Sequence, residues 1–259
     1  AVRAGAIGAL TPSVVRLTVV ALGVWLAGLA ALAVSQVQVW RDTDTLWRYA
    51  IEVNPACSWC HVQLGVFLLG ARDGGGPAIE HLERALALRP DRVGYHRHMG
   101  LALVKVGRPQ MAVAHFRAVL DRYPDEARIN VEVRNDLGVT FMELGQLDEA
   151  IGQFQEVIRL APAHVGALTN LGIGLGALDR PREGLRYLRR AVELSPEAPV
   201  PRFWLACASL AVGDSAGAGA QARVLRQLDP RLAERLEAGL VAKCFDEFRR
   251  SGGDASLRG

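Results

Sequence analysis

The residues best suited to chemistry stand together at Cys57-Ser58-Trp59-Cys60-His61, which matches C-x-x-C-H. At that spacing two thiols can add across the vinyl groups of a c-type haem while the next histidine ligates iron. The surroundings speak against it: the motif opens a short helix in which His61 falls at a packing position, and a haem would have to displace the neighbouring helix. A local disulfide or free thiols is the expected state. His96 and His98 are two apart on a helix, so they face different ways and do not share a metal. Cys207 and Cys244 read as small buried thiols. Gly74 to Gly76 lacks the Lys-Ser/Thr of a phosphate loop and reads as a turn. No nucleophile, base and orienting acid follow one another in recognisable order. The expectation is a non-catalytic segment with no catalytic, cofactor-binding or metal-ligating residue.

What positions these side chains is a repeat. Prolines that end short helical stretches occur at Pro55, Pro90, Pro124, Pro162, Pro196 and Pro230, at intervals of 35, 34, 38, 34 and 34 residues. Within each interval a large apolar residue precedes a small one: Leu64-Gly65, Met99-Gly100, Leu137-Gly138, Leu171-Gly172 and Leu205-Ala206. Bulky Leu68, Leu103, Phe141 and Leu175 follow about one turn later, and Ser209 breaks the pattern. In the second half of the unit small precedes large by four positions, in Ala78/Leu82, Ala112/Phe116 and Ala150/Phe154, with Gly184/Leu188 and Ala218/Ala222 as fainter copies.

Two antiparallel helices per unit explain the pattern. Where their backbones cross closely the first helix needs Gly or Ala, and large side chains three and four positions away fill the space around the contact. Gly107, Gly145 and Gly213 are placed to take the left-handed conformation at the turn inside a unit, and the terminal proline stops the second helix. The extra glycine of Gly74 to Gly76 accounts for the interval of 35. Four surplus residues near Ala127 to Asn130 account for that of 38, and they lengthen the third unit's first helix by about one turn without rotating its apolar face.

These units resemble the tetratricopeptide repeat, a 34-residue helix-turn-helix with the pattern W-x2-L-G-x2-Y, then A-x3-F, then P. The third, NDLGVTFMELGQLDEAIGQFQEVIRLAP (Asn135 to Pro162), is the most specific. No unit carries the opening Trp, whose place is taken by His61, His96, Arg134, Leu168 and Arg202, and the fifth unit is eroded. The resemblance implies an all-α solenoid of about five repeats over residues 58–230. Thr43 to Pro55 supplies a joining half-repeat helix with Trp47 and Ala50 as its large and small residues. Residues 231–249 form an amphipathic capping helix, with Leu232, Leu236, Leu240, Val241 and Phe245 on one side, which a stacked array needs at its end. The tail 250–259 is polar and glycine-rich and is expected to be disordered.

The resemblance further implies a concave groove lined by positions 2, 5, 6, 9, 12 and 13 of each first helix, counting the small residue as position 8. That face offers Trp59 and Gln63, then Arg97, His98 and Lys105, then Glu132, Asn135, Asp136 and Glu143, then Thr169 and Asn170, then Phe203 and Trp204. Gln63, His98, Asp136 and Asn170 share one position in successive units, a polar ladder able to hydrogen-bond an extended peptide. The paired Lys/Arg and Asn that clamp a terminal carboxylate in chaperone-binding members are not reproduced.

Ahead of the repeats, Leu17 to Val34 is an uncharged run of 18 residues that as a helix rises roughly 27 Å, about a bilayer's hydrocarbon core. With flanking Arg16, Trp40 and Trp47 it reads as a transmembrane helix over 17–39, residues 1–16 being a loop or the end of a preceding membrane segment. A secretory signal is the competing reading. The missing initiator methionine favours a chain cut from something longer. An apolar span running into VWRDTDTLWRYAIEVNPACSWCHVQLG (Val39 to Gly65) and then into repeats resembles the carboxyl-terminal part of membrane glycosyltransferase-like proteins of the transmembrane-and-TPR O-mannosyltransferase type. That resemblance implies a substrate-presenting arm on the non-cytoplasmic side, with catalysis upstream; a single-anchor scaffold for an envelope complex is the alternative. Thirty Lys and Arg against 27 Asp and Glu leave +3 over the whole chain, too small an excess to point to nucleic acid. The expected partners are a protein or extended peptide in the groove and the membrane at the amino-terminal helix.

Overall fold

The computed structural model describes residues 21–22, 24–29, 42–71, 74–237 and 245. Residues 1–16, most of the proposed transmembrane helix, half of the capping helix with Cys244, and the whole tail lie outside them. Among the described residues every regular element is helical. A half-unit α1 (Thr43–Val53) precedes five helix pairs: α2 (Ser58–Leu69) and α3 (Gly75–Leu88), α4 (Val93–Lys105) and α5 (Pro109–Arg122), α6 (Ala127–Glu143) and α7 (Leu147–Leu160), α8 (Val165–Ala177) and α9 (Pro181–Leu194), α10 (Pro199–Ala211) and α11 (Ser215–Leu228). A further helix α12 (Pro230–Glu237) follows. Each packs on its successor, and consecutive first helices touch, which is the contact pattern of an open stack rather than of a closed bundle.

In the first four pairs the close crossing falls where a side chain is missing. A Cβ on Gly100 would lie 2.6 Å from the Phe116 ring, one on Gly138 2.6 Å from the Phe154 ring, and one on Gly172 2.4 Å from Leu188. Phe116, Phe154 and Leu188 are themselves fully buried, so the large residue of the second helix lies against bare backbone of the first. The turn that reverses the chain is equally regular. Gly107, Gly145 and Gly213 have φ of 73°, 71° and 86°, and in the fourth pair Asp179 takes the same place at 60°. The residue that follows each of them donates its N–H to the carbonyl of Leu103, Phe141, Leu175 or Ser209, a Schellman closure that satisfies carbonyls left over at the helix end.

Apolar side chains from Val62 to Phe245 form one continuous core, and a satellite of Leu64, Leu68 and Ala78 receives Trp47 and Ile51 of α1. Trp47 therefore packs on the first pair, which corrects its reading as a membrane-interface anchor. At 17 residues α6 is four longer than α4 and α8, and the surplus turn carries Asn130. The amino-terminal residues 21–22 and 24–29 are helical, with Leu22, Val24, Trp25, Leu26 and Leu29 exposed. No helix among the described residues is long and apolar enough to cross a membrane.

Candidate functional site

The place of the missing opening Trp is built from polar pairs. His61 Nε2 donates to the Pro55 carbonyl at 3.2 Å, so its Nδ1 accepts from His81 Nδ1 at 3.1 Å. His96 and His115 face each other through their Nδ1 atoms at 2.9 Å. Arg134 and Arg202 use the same arrangement, donating to Gln153 at 3.0 Å and Gln221 at 2.9 Å, and Arg202 also donates to the Pro196 carbonyl at 2.8 Å. Asn130, six residues after Pro124, makes the same contact with its carbonyl at 2.7 Å from the inserted turn. Each bond ties a first helix to the end of the preceding unit or to its own second helix. Burial holds the His81 and His115 imidazoliums below the ordinary value of 6.5, and the facing His61 and His96 rings act in the same direction.

Cys57 caps the amino end of α2 and is joined to Cys60 by a disulfide, while its Sγ accepts the Cys60 N–H at 3.2 Å. With both thiols in that bond and both His61 ring nitrogens engaged, the haem-attachment spacing is a helix cap. Trp59 stands 55% exposed between the cysteines.

The inner face is divided at the third unit. Arg97 Nε meets Asp136 and its Nη1 meets Glu132, each at 2.7 Å. Burial raises the Asp136 carboxyl above its usual range, opposed by the hydrogen bond and charge of Arg97. Burial, then the Arg97 charge, lowers His98. Beyond this wall a cavity of about 510 Å³ runs along the first helices, lined by Val104, Asn135, Val139, Glu143, Thr169 and Asn170 among others. Its lining is mostly apolar and includes the Asn135 and Asn170 amides. The Asn135 side-chain oxygen is buried there without a hydrogen-bond partner, the kind of group a native structure keeps for a reason.

Several expected groove residues are placed otherwise. Lys105 reaches across to the Leu69 and Ala71 carbonyls, the latter at 2.9 Å, so it caps the carboxyl end of α2 instead of facing a ligand. Thr169 is buried and donates to the Val165 carbonyl at 2.8 Å, back-bonding within its own helix. Phe203 is buried at the edge of Trp204 and beneath Arg235 of α12, so it is not open to a partner. Gln63 is half-buried on α2 and is not part of the cavity lining. Sequence reasoning missed the floor residues Val139, Val165 and Val200. It also missed the second-helix partners His81, His115, Gln153 and Gln221, although polar residues recurring 19 or 20 positions after the opening position would have marked them.

Residues 77–127, 99–165 and 135–175 match the tetratricopeptide repeat family. A stretch of 97 residues is 35% identical to an Hsp70-Hsp90 organizing protein of Triticum aestivum, covering 38% of this chain and 16% of that protein. The chain thus spans about a sixth of that relative's length. Among solved structures, MamA residues 41 to the end from Desulfovibrio magneticus RS-1 superposes with a TM-score of 0.58 at 21% identity, covering 67% of this chain and 96% of that one. A thermophilic TPR protein of Thermus thermophilus gives 0.57 at 21%, covering 71% and 100%. YrrB, described as a TPR protein with an unusual peptide-binding site, gives 0.54 at 18%, covering 74% and 97%. At these identities the likeness is one of fold.

Proposed function

We propose that this chain, which matches the tetratricopeptide repeat family over residues 77–175, holds an extended segment of a partner protein on its inner face along the first helices of the third to fifth units. The observation that carries this reading is the cavity along these first helices, whose mostly apolar lining includes both the Asn135 and the Asn170 amides. The backbone of a segment laid along the groove can bond these amides, while the valines of the lining accept alternate side chains. The segment acts by binding and not by catalysis.

The wheat relative's name points to chaperones, yet a terminal carboxylate needs uncommitted cations. Here Lys105 is spent on helix carbonyls and Arg97 on two carboxylates. An internal segment suits the site better than a charged tail. The proposed placement is membrane-tethered and non-cytoplasmic. The uncharged run from Leu17 to Val34, the exposed apolar face at Leu22, Val24, Trp25, Leu26 and Leu29, and a disulfide of the sort kept in oxidising compartments all favour it. Presentation of acceptor proteins to a glycosyltransferase-like domain of the same polypeptide is the finer reading, supported by the Val39 to Gly65 junction. Detergent-free fractionation tests the tether: the chain should sediment with membranes, and recovery in the soluble fraction would refute it.

A further inference from the structure

At its carboxyl end the groove changes character. The position that carries Gln63, His98, Asp136 and Asn170 in the first four units carries Trp204 in the fifth. Four residues after the small residue of each first helix stand Leu69, Val104, Met142, Gly176 and Leu210, so the fourth unit alone lacks a side chain there. The Phe245 ring lies in that gap. A Cβ on Gly176 would come within 2.2 Å of its Cε1 and Cζ, so the ring rests on bare backbone. Its other face is turned to Trp204, with ring centroids 5.6 Å apart and planes tilted by 31°. Phe245 is 8% exposed in this position. Gly176 and Trp204 both occupy groove positions, on neighbouring first helices, and Arg235 stacks 5.6 Å from the adjoining Phe203 ring.

We propose that Gly176 and Trp204 form a socket for one aromatic side chain of a partner's segment, and that Phe245 is the chain's own occupant of it, displaced when the partner binds. The groove amides Asn135 and Asn170 then orient the partner's backbone and the socket fixes its register by a single phenylalanine-like anchor. An aromatic anchor of this kind is the part of a contact that supplies most of its free energy. Filling the socket in cis keeps Trp204 out of water and lowers the apparent affinity for every partner that has no aromatic residue to offer. The inference rests on the groove reading above and deepens it.

The test uses the full chain and a labelled synthetic peptide reproducing residues 240–250 with Cys244→Ser, followed by fluorescence anisotropy. Phe245→Ala should bind this peptide roughly tenfold or more tightly than the unaltered chain, the scale of one buried aromatic side chain. Adding Gly176→Ala, which the vacated socket can accommodate, should remove the gain. A peptide with alanine in place of Phe245 should bind neither chain. Equal binding to the unaltered and Phe245→Ala chains, or binding to neither, would overturn the socket. The asparagines are tested separately: a peptide that binds Phe245→Ala unchanged after Asn135→Ala and Asn170→Ala would leave the socket standing and count against the groove reading.

Discussion

Gly138→Ala and Gly152→Ala are the same substitution in the two helices of one repeat, and they should move stability in opposite directions. At Gly138 the new methyl would sit 2.6, 2.9 and 3.0 Å from three carbons of the Phe154 ring, where ordinary contact is about 3.5–4 Å. The ring would have to move by nearly an ångström, yet Phe154 is 0% exposed and shares its cluster with Leu137, Ala150 and Val157. Overpacking of that kind costs about 1–3 kcal/mol, against which alanine's better helix propensity returns about 0.5–1. The expected net loss is about 0.5–2 kcal/mol. At Gly152, inside α7, nothing lies within 4 Å of the added atom, so only the propensity gain of about 0.5–1 kcal/mol remains. Urea unfolding followed by far-ultraviolet circular dichroism reads both midpoints. A third chain, Gly138→Ala with Phe154→Ala, should lose less than the two single losses added, since each change makes room for the other. The fifth unit already carries that solution, with Ala206 and Ala222 at the two positions. Should Gly138→Ala prove as stable as the unaltered chain, the close-crossing argument for every repeat would fall.

Phe154→Ala alone should cost about 3–5 kcal/mol in the same assay, as for emptying a filled aromatic site. Asp179→Gly should raise stability by up to about 1 kcal/mol, because the left-handed φ of 60° costs a non-glycine residue and the three sister turns use glycine. The histidine pairs make stability depend on pH. His81 and His115 titrate below 6.5 when folded, so the folded state binds fewer protons; their contribution is complete above about 6.5 and is lost as pH falls through the lowered folded values. Replacing both by Gln, the residue used at Gln153 and Gln221, should flatten that acid slope, and an unchanged slope would locate the titration elsewhere.

The path of the backbone was legible because the repeat writes nearly the same physical demand in each unit: a missing side chain at the crossing in the first four, a left-handed turn in the last four and a stopping proline in all five. The groove was only partly legible. Position alone placed Asn135, Asn170 and Glu143 on the cavity, but it could not foresee that Lys105 reaches back to carbonyls of the preceding repeat or that Thr169 bonds within its own helix. Long flexible or small hydroxylated side chains choose among local acceptors, and that choice leaves no periodic signal. Phe203 was misread for a different reason: what covers it comes from beyond the array, from Arg235 of α12.

The central claim is that a partner protein lies in the groove over the third to fifth units, held by Asn135 and Asn170. A photoreactive phenylalanine analogue at Val139, on the groove floor, tests this most directly, with the same analogue at exposed Gly152 as the outer-face control. Asn135→Ala with Asn170→Ala should not destabilise the fold, because the buried Asn135 oxygen already lacks a hydrogen-bond partner. The expected result is a defined covalent adduct from Val139 that is absent from Gly152 and lost in the asparagine double variant. Adducts of equal yield from both faces, or an adduct at Val139 that survives the double variant, would contradict it.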